Sequence, residues 1–168
     1  MDASEKAWVP DELIRGLDVA AGPETAASRS CPVAALRERL RAAGMRPTRQ
    51  RMLIGWLLFA RGDRHVCAED LFMETQQARA HLSLATVYNT LNQFSETGLL
   101  RKVATVGERA VFDTNTGDHH HFFVENDGTV LDVCDGDLEL KSPPTPPAGY
   151  RVVGVDVVVR LARIEGTA

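Results

Sequence analysis

Residues 83–114 read SLATVYNTLNQFSETGLLRKVATVGERAVFDT. Val87, Leu91 and Phe94 recur at the spacing of one helix face, with Ser83 before them as N-cap and Gly98 after them as C′. The period then falls to two, and residues 99–114 divide into two short strands about a Val106-Gly107-Glu108 turn. A helix that runs straight into a small hairpin predicts a winged helix-turn-helix, whose last helix enters the major groove of DNA.

Upstream, three more segments carry helical spacing. PVAALRERLRAAG places Val33, Leu36 and Leu40 on one face, with Pro32 at its start and Gly44 at its stop. TRQRMLIGWLLFARG follows, with Thr48 as N-cap and Met52, Leu53, Trp56, Leu57 and Phe59 as the buried face. AEDLFMETQQARA buries Leu71 and Phe72. The first thirty residues, with AAGPETAASRS near their end, are small and polar and read as a disordered N-terminal extension.

Downstream, from residue 117, the texture becomes strand-like. HHHFFVENDGTVLDV is a hairpin about Asn126-Asp127-Gly128, and YRVVGVDVVVRLARI is a long β-branched strand. Between them Pro143, Pro144, Pro146 and Pro147 exclude a regular helix, since proline lacks the N–H donor. A three-stranded sheet with so apolar a strand needs a cover, and a second copy of the chain supplies one. The expected class is α+β. Residues 31–116 are expected to form a winged-helix DNA-binding domain, and residues 117–168 a small α/β dimerisation domain with a three-stranded sheet.

Composition bounds the function. The chain has 168 residues, 44% apolar and 25% charged, enough for one domain or two small ones with a buried core. Its net charge of −4 does not by itself suggest nucleic acid, but the distribution does. Residues 31–116 carry twelve basic and eight acidic side chains, between acidic ends. Three separated cysteines, Cys31, Cys67 and Cys134, with no C-x-x-C pair, argue against a disulfide framework and a structural four-cysteine zinc site. No run approaches the roughly 18 apolar residues of a membrane span. The acidic start lacks the order of a secretory signal, so the expected location is the cytoplasm.

His119, His120 and His121 stand together where the second domain begins. Strand alternation puts His119 and His121 on one face and His120 on the other. A turn at Asn126-Asp127 sets His121 opposite Asp132; a turn at Asp127-Gly128 sets it opposite Cys134. Both registers keep Asp132 on the face of His119 and His121, because the period is two. Asp113, at the end of the wing, and His65, in a loop before the third helix, are further candidates. Three imidazoles and two carboxylates suit Fe(II), Mn(II) or Zn(II).

On GMRPTRQR, HVCAEDL, SLATVYNTLNQFSETGLL and DHHHFF…DGTV, the chain resembles the ferric uptake regulator (Fur) family from about residue 36 onward. NTLNQFSETGLLRKV, the histidine hairpin and GYRVVGVDVVVRL resemble its iron response regulator (Irr) branch, which senses haem; that branch often carries an early Cys-Pro, matched by Cys31-Pro32. The resemblance implies a regulatory metal site on His65, Asp113, His119, His121 and Asp132. A second family site would fall on Asp118, His120 and Glu139, but Val155-Asp156 occupies the region of its last histidine. Val124 and Asp127 stand where a cysteine pair would be, so no structural zinc is expected. The candidates to hold haem are Cys31, the histidines His119, His120 and His121, or both together.

For DNA, the resemblance implies that the helix capped by Ser83 reads the major groove, with Thr86, Tyr88 and Asn89 at the interface and Arg46 and Arg51 on phosphates. Many relatives carry arginine in place of Asn89; asparagine favours adenine where arginine favours guanine. The expected partners are double-stranded operator DNA, a second copy of the chain, and a haem-delivering protein. The expected function is a haem- and metal-responsive regulator of iron homeostasis. A peroxide-sensing or Mn/Fe-sensing repressor of the same family is one alternative. A small metal-dependent enzyme is another, disfavoured because it leaves the wing unexplained.

Overall fold

The computed structural model describes residues 9, 32–103, 109–134, 136–138 and 141–164. Cys31, Glu139, the Val106-Gly107-Glu108 turn and all of the N-terminal extension except Val9 lie outside the described residues. The order of elements is α1 (Pro32–Ala42), α2 (Arg49–Phe59), β1 (His65–Cys67), α3 (Ala68–Gln77), α4 (Leu84–Glu96), β2 (Arg101–Val103), β3 (Val111–Asp113), β4 (His121–Val124), β5 (Val130–Asp132) and β6 (Val158–Leu161). Two compact units result. One takes the described residues up to Lys102 with Phe112–Thr116, and the other takes those of Val103–Val111 and from Gly117 onward. The class is α+β, as expected.

In the first unit α2 is the centre, with α1, α3 and α4 packed against it. It is therefore buried on several sides rather than along one stripe. Met52, Leu53, Ile54, Leu57 and Leu58 are buried, while Trp56 and Phe59, expected inside, are half-buried. Gly55 permits the approach of α1: a Cβ there would stand 3.0 Å from Leu36 Cδ1. Thr48 caps α2 by accepting the Arg51 N–H at 3.4 Å, and Ser83 caps α4 by accepting the Thr86 N–H at 3.1 Å.

α4 buries Val87, Thr90, Leu91 and Phe94 and leaves Leu84, Ala85, Tyr88 and Asn89 exposed, the two-faced pattern expected of it. Its end is closed by Gly98, at φ +75°, after which the Leu99 N–H returns to the Phe94 carbonyl at 2.8 Å. Nothing lies within 4 Å of a Cβ built on Gly98. Gly98→Ala therefore meets no clash, and backbone conformation alone is expected to cost about 1 kcal/mol in urea unfolding.

The first sheet has the order β1-β3-β2. β1 holds His65 in a strand, where the sequence reading placed a loop. Three residues are too few to show a period, and β1 is recognisable only by its pairing with β3. In the second unit β4 is central, antiparallel to β5 and parallel to β6. Val103, Val111 and Val130 form its small core, with Phe123 packed against them. The C-terminal strand is shorter than expected. β6 pairs only at Val158–Leu161 because β4 offers four residues to pair with. Tyr150, Val152, Val153 and Val155 are exposed, Val153 by 86%. Among the described residues no helix is long and apolar enough to cross a membrane.

Candidate metal centre and nucleic-acid interface

Within the first unit, β1 lies beside β3, and this brings His65 Nε2 to 3.6 Å from Asp113 Oδ2. Asp113 is fully buried. Its Oδ1 accepts the Asn115 N–H at 2.9 Å, which turns Oδ2 toward the imidazole. The strand leading to His65 is fixed from both sides. Arg64 N–H donates to Thr114 Oγ1 at 2.8 Å and the Thr114 N–H donates to the Arg64 carbonyl at 3.1 Å. The Arg64 guanidinium forms a two-pronged pair with Glu74 of α3 and donates to the Leu57 carbonyl at 3.3 Å. Sequence reading missed Arg64, Glu74 and Asn115, because their partners are set by the fold.

Within the second unit, His121 opens β4 and faces Asp132 on β5. His119 Nε2 and His121 Nε2 lie 3.3 and 3.8 Å from Asp132 Oδ1, and the two rings meet edge-on with centroids 4.5 Å apart. His119 Nδ1 is 2.9 Å from the Gly117 carbonyl. A carbonyl can only accept, so Nδ1 carries the proton, and in the neutral ring Nε2 turns its lone pair toward Asp132. A ligating histidine is commonly held in this way, by a backbone carbonyl on its other nitrogen.

Of the two registers open to the hairpin, the structure has the one that opposes His121 and Asp132. The Gly128 N–H donates to the Val124 carbonyl at 2.8 Å, and Gly128 itself adopts φ +75°. Asp127 Oδ1 accepts the Thr129 N–H at 3.0 Å. Arg163 completes the loop: its N–H donates to Asn126 Oδ1 and its guanidinium to Asp127 Oδ2, both at 3.0 Å. His120 does not join this group. Its carbonyl accepts the Val133 N–H at 2.9 Å, and among the described residues its buried Nδ1 has no hydrogen-bond partner.

The donors are imidazoles and carboxylates, the set that suits Fe(II), Mn(II) and Zn(II). Among the described residues no thiol joins this group. Burial, reinforced by the Asp70 carboxylate, pushes the Cys67 thiol up to about 11, so it is protonated at neutral pH. Three cysteines in the chain are one short of a four-thiolate zinc site.

The DNA-binding candidates gather on the first unit. Ser83 Oγ lies 2.8 Å from Thr86 Oγ1 at the start of α4, and Tyr88 and Asn89 stand on its exposed face. Arg46 is exposed just before α2. Arg51 is half-buried, and its guanidinium is engaged within the fold. Gln93, its partner on α4, was missed by sequence reading.

The ferric uptake regulator family model matches residues 42–159. The chain belongs to the ferric uptake regulator family. It is thus a regulator and not an enzyme. It is 38% identical over 86 residues to the ferric uptake regulation protein of Bordetella parapertussis, covering 50% of this chain and 62% of that one. With the Pseudomonas fluorescens protein of the same name it shares 36% over 122 residues, 71% of this chain and 94% of the relative. The structure of the Pseudomonas aeruginosa ferric uptake regulator with manganese superposes with a TM-score of 0.60 at 28% identity, covering 76% of this chain and 96% of that one.

Proposed function

We propose that this protein is a metal-responsive transcriptional regulator that binds operator DNA as a dimer through α4. The observation that carries the reading is the convergence of His119, His121 and Asp132 on one edge of the second sheet, with a matching His65–Asp113 pair in the winged unit. His65, Asp113, His119, His121 and Asp132 would be the donors to a divalent ion, which would supply a fixed positive charge. The solved structure with manganese belongs to a relative. Mn(II) prefers hard oxygen and nitrogen donors, which agrees with the imidazoles and carboxylates present here.

What the residues do follows from their places. His65 leads into α3, which packs on α4, and Asp113 ends the wing strand. Anchoring these two side chains restrains the recognition helix. In a dimer, two such helices must match half-sites about one DNA turn apart, so that restraint becomes affinity. The exposed apolar residues Tyr150, Val152, Val153 and Val155 are the surface on which a second copy is expected to pack.

Haem is the second effector, and the iron response regulator branch the assignment within the family. The Cys31-Pro32 dipeptide and the adjacent histidines support it, because a thiolate or an imidazole can each ligate haem iron. Fluorescence anisotropy on a duplex selected by the protein from a random pool tests both parts. Mn(II) is expected to tighten binding and haem to weaken it, with Cys31→Ala blunting only the haem effect. Equal affinity in Mn(II) and in chelator would overturn the metal reading; indifference to haem would overturn the branch assignment alone.

A further inference from the structure

The Arg51 guanidinium points into the protein's own fold. Its Nη1 donates to the Arg46 carbonyl at 2.9 Å, and its Nη2 and Nε donate to Gln93 Oε1 at 3.0 and 3.4 Å. A guanidinium has donors and no acceptor, so it selects the oxygen end of the Gln93 amide. The NH2 end is thereby turned away, as a fixed pair of donors. Gln93 lines an open polar groove of about 290 Å³, together with Thr48, Gln50, Arg51, Thr86, Asn89 and Thr90.

Several groups in this groove are already committed. Thr48 Oγ1 accepts the Arg51 N–H, and the Thr90 hydroxyl donates to the Thr86 carbonyl at 2.8 Å. Among the described residues no carboxylate lines it, and Arg51 places a positive charge in its wall. Such a groove fits a ligand that only accepts and carries negative charge, which describes a phosphate diester better than a base edge. Position agrees. Gln93 lies one turn beyond Asn89 along α4, and in helix-turn-helix proteins it is the first turns of the recognition helix that meet the bases.

We propose that the Gln93 amide donates to a backbone phosphate of the operator, with Arg51 as the positioning residue that fixes the amide. This rests on the DNA-binding reading and changes one expectation within it: Arg51 acts through Gln93 instead of gripping the phosphate alone. The test is a cycle between protein and DNA variants, on the duplex selected by the wild-type protein in Mn(II). Single phosphates are replaced in turn by neutral methylphosphonates, and affinities are measured for wild type, Gln93→Ala and Arg51→Lys.

Gln93→Ala is expected to weaken the unmodified duplex about tenfold, the scale of a lost hydrogen bond to a charged group. At one phosphate in each half-site the wild-type methylphosphonate penalty should vanish in Gln93→Ala and shrink in Arg51→Lys. A merely structural Arg51 would instead lower affinity for every duplex alike, overturning its positioning role. Penalties untouched by Gln93→Ala at every phosphate, or a loss of discrimination at one base pair instead, would overturn the phosphate contact. If wild type retained no duplex from the pool, the regulator reading itself would fail, and this role with it. Gln93 is exposed, so its truncation leaves the helical core in place.

Discussion

Asp132→Ala is expected to weaken Mn(II) binding about a hundredfold while leaving the fold intact, since loss of even an outer partner of a metal ligand commonly costs ten- to a hundredfold. The choice of residue matters. His121 is 1% exposed and sits at the head of the central strand, so its removal would disturb packing as well as ligation. The Asp132 side chain is 41% exposed, yet its Oδ1 is the atom on which both His119 and His121 converge. It can be truncated without opening a cavity. Calorimetric titration with Mn(II) measures the first effect, and thermal unfolding in chelator checks the second. Asp132→Asn should fall between wild type and alanine, because it keeps the shape and one neutral oxygen but not the charge. An Asp132→Ala protein that binds Mn(II) as tightly as wild type would remove the carboxylate from the ligand set and return the histidine pair to an ordinary buried contact.

The site was legible to the extent that its logic is local. Alternation along a strand has period two whatever the turn, so Asp132 had to share a face with His119 and His121. The register was not legible. An Asp-Gly pair favours a two-residue turn, which would have set His121 against Cys134. The observed loop is instead held from outside by Arg163, which satisfies Asn126 and Asp127 from a distance in sequence of more than thirty residues. The strand that holds His65 was not legible for a related reason, because β1 has three residues and is a strand only by virtue of β3 beside it. Arg51 shows the opposite limit. The family resemblance and its guanidinium suggested a phosphate contact, but nothing in the sequence places Gln93, 42 residues on, across that guanidinium. By contrast α4 carried its own start, stop and buried face, and all three stand as read.

The second large effect separates the two faces of α4. Phe94→Ala is expected to destabilise the winged unit by about 3–5 kcal/mol, the usual cost of emptying a buried phenylalanine site. Phe94 is fully buried and stacks on Phe59, with ring centroids 6.2 Å apart and planes 21° from parallel. Its carbonyl also receives the returning N–H groups of Leu99 and Leu100, so the loss falls where the helix hands over to the wing. Domains hold only about 5–15 kcal/mol in total, and this one change consumes a large share. Tyr88→Ala, six residues earlier, should behave in the reverse way. Tyr88 is 43% exposed, and its truncation is expected to change stability by less than about 0.5 kcal/mol while weakening DNA binding. Urea unfolding and anisotropy on the same two proteins decide the matter. If both substitutions unfolded the unit equally, the exposed face of α4 would be covered in solution and could not be the face that meets DNA. If neither did, the helix would not be packed through Phe94 at all.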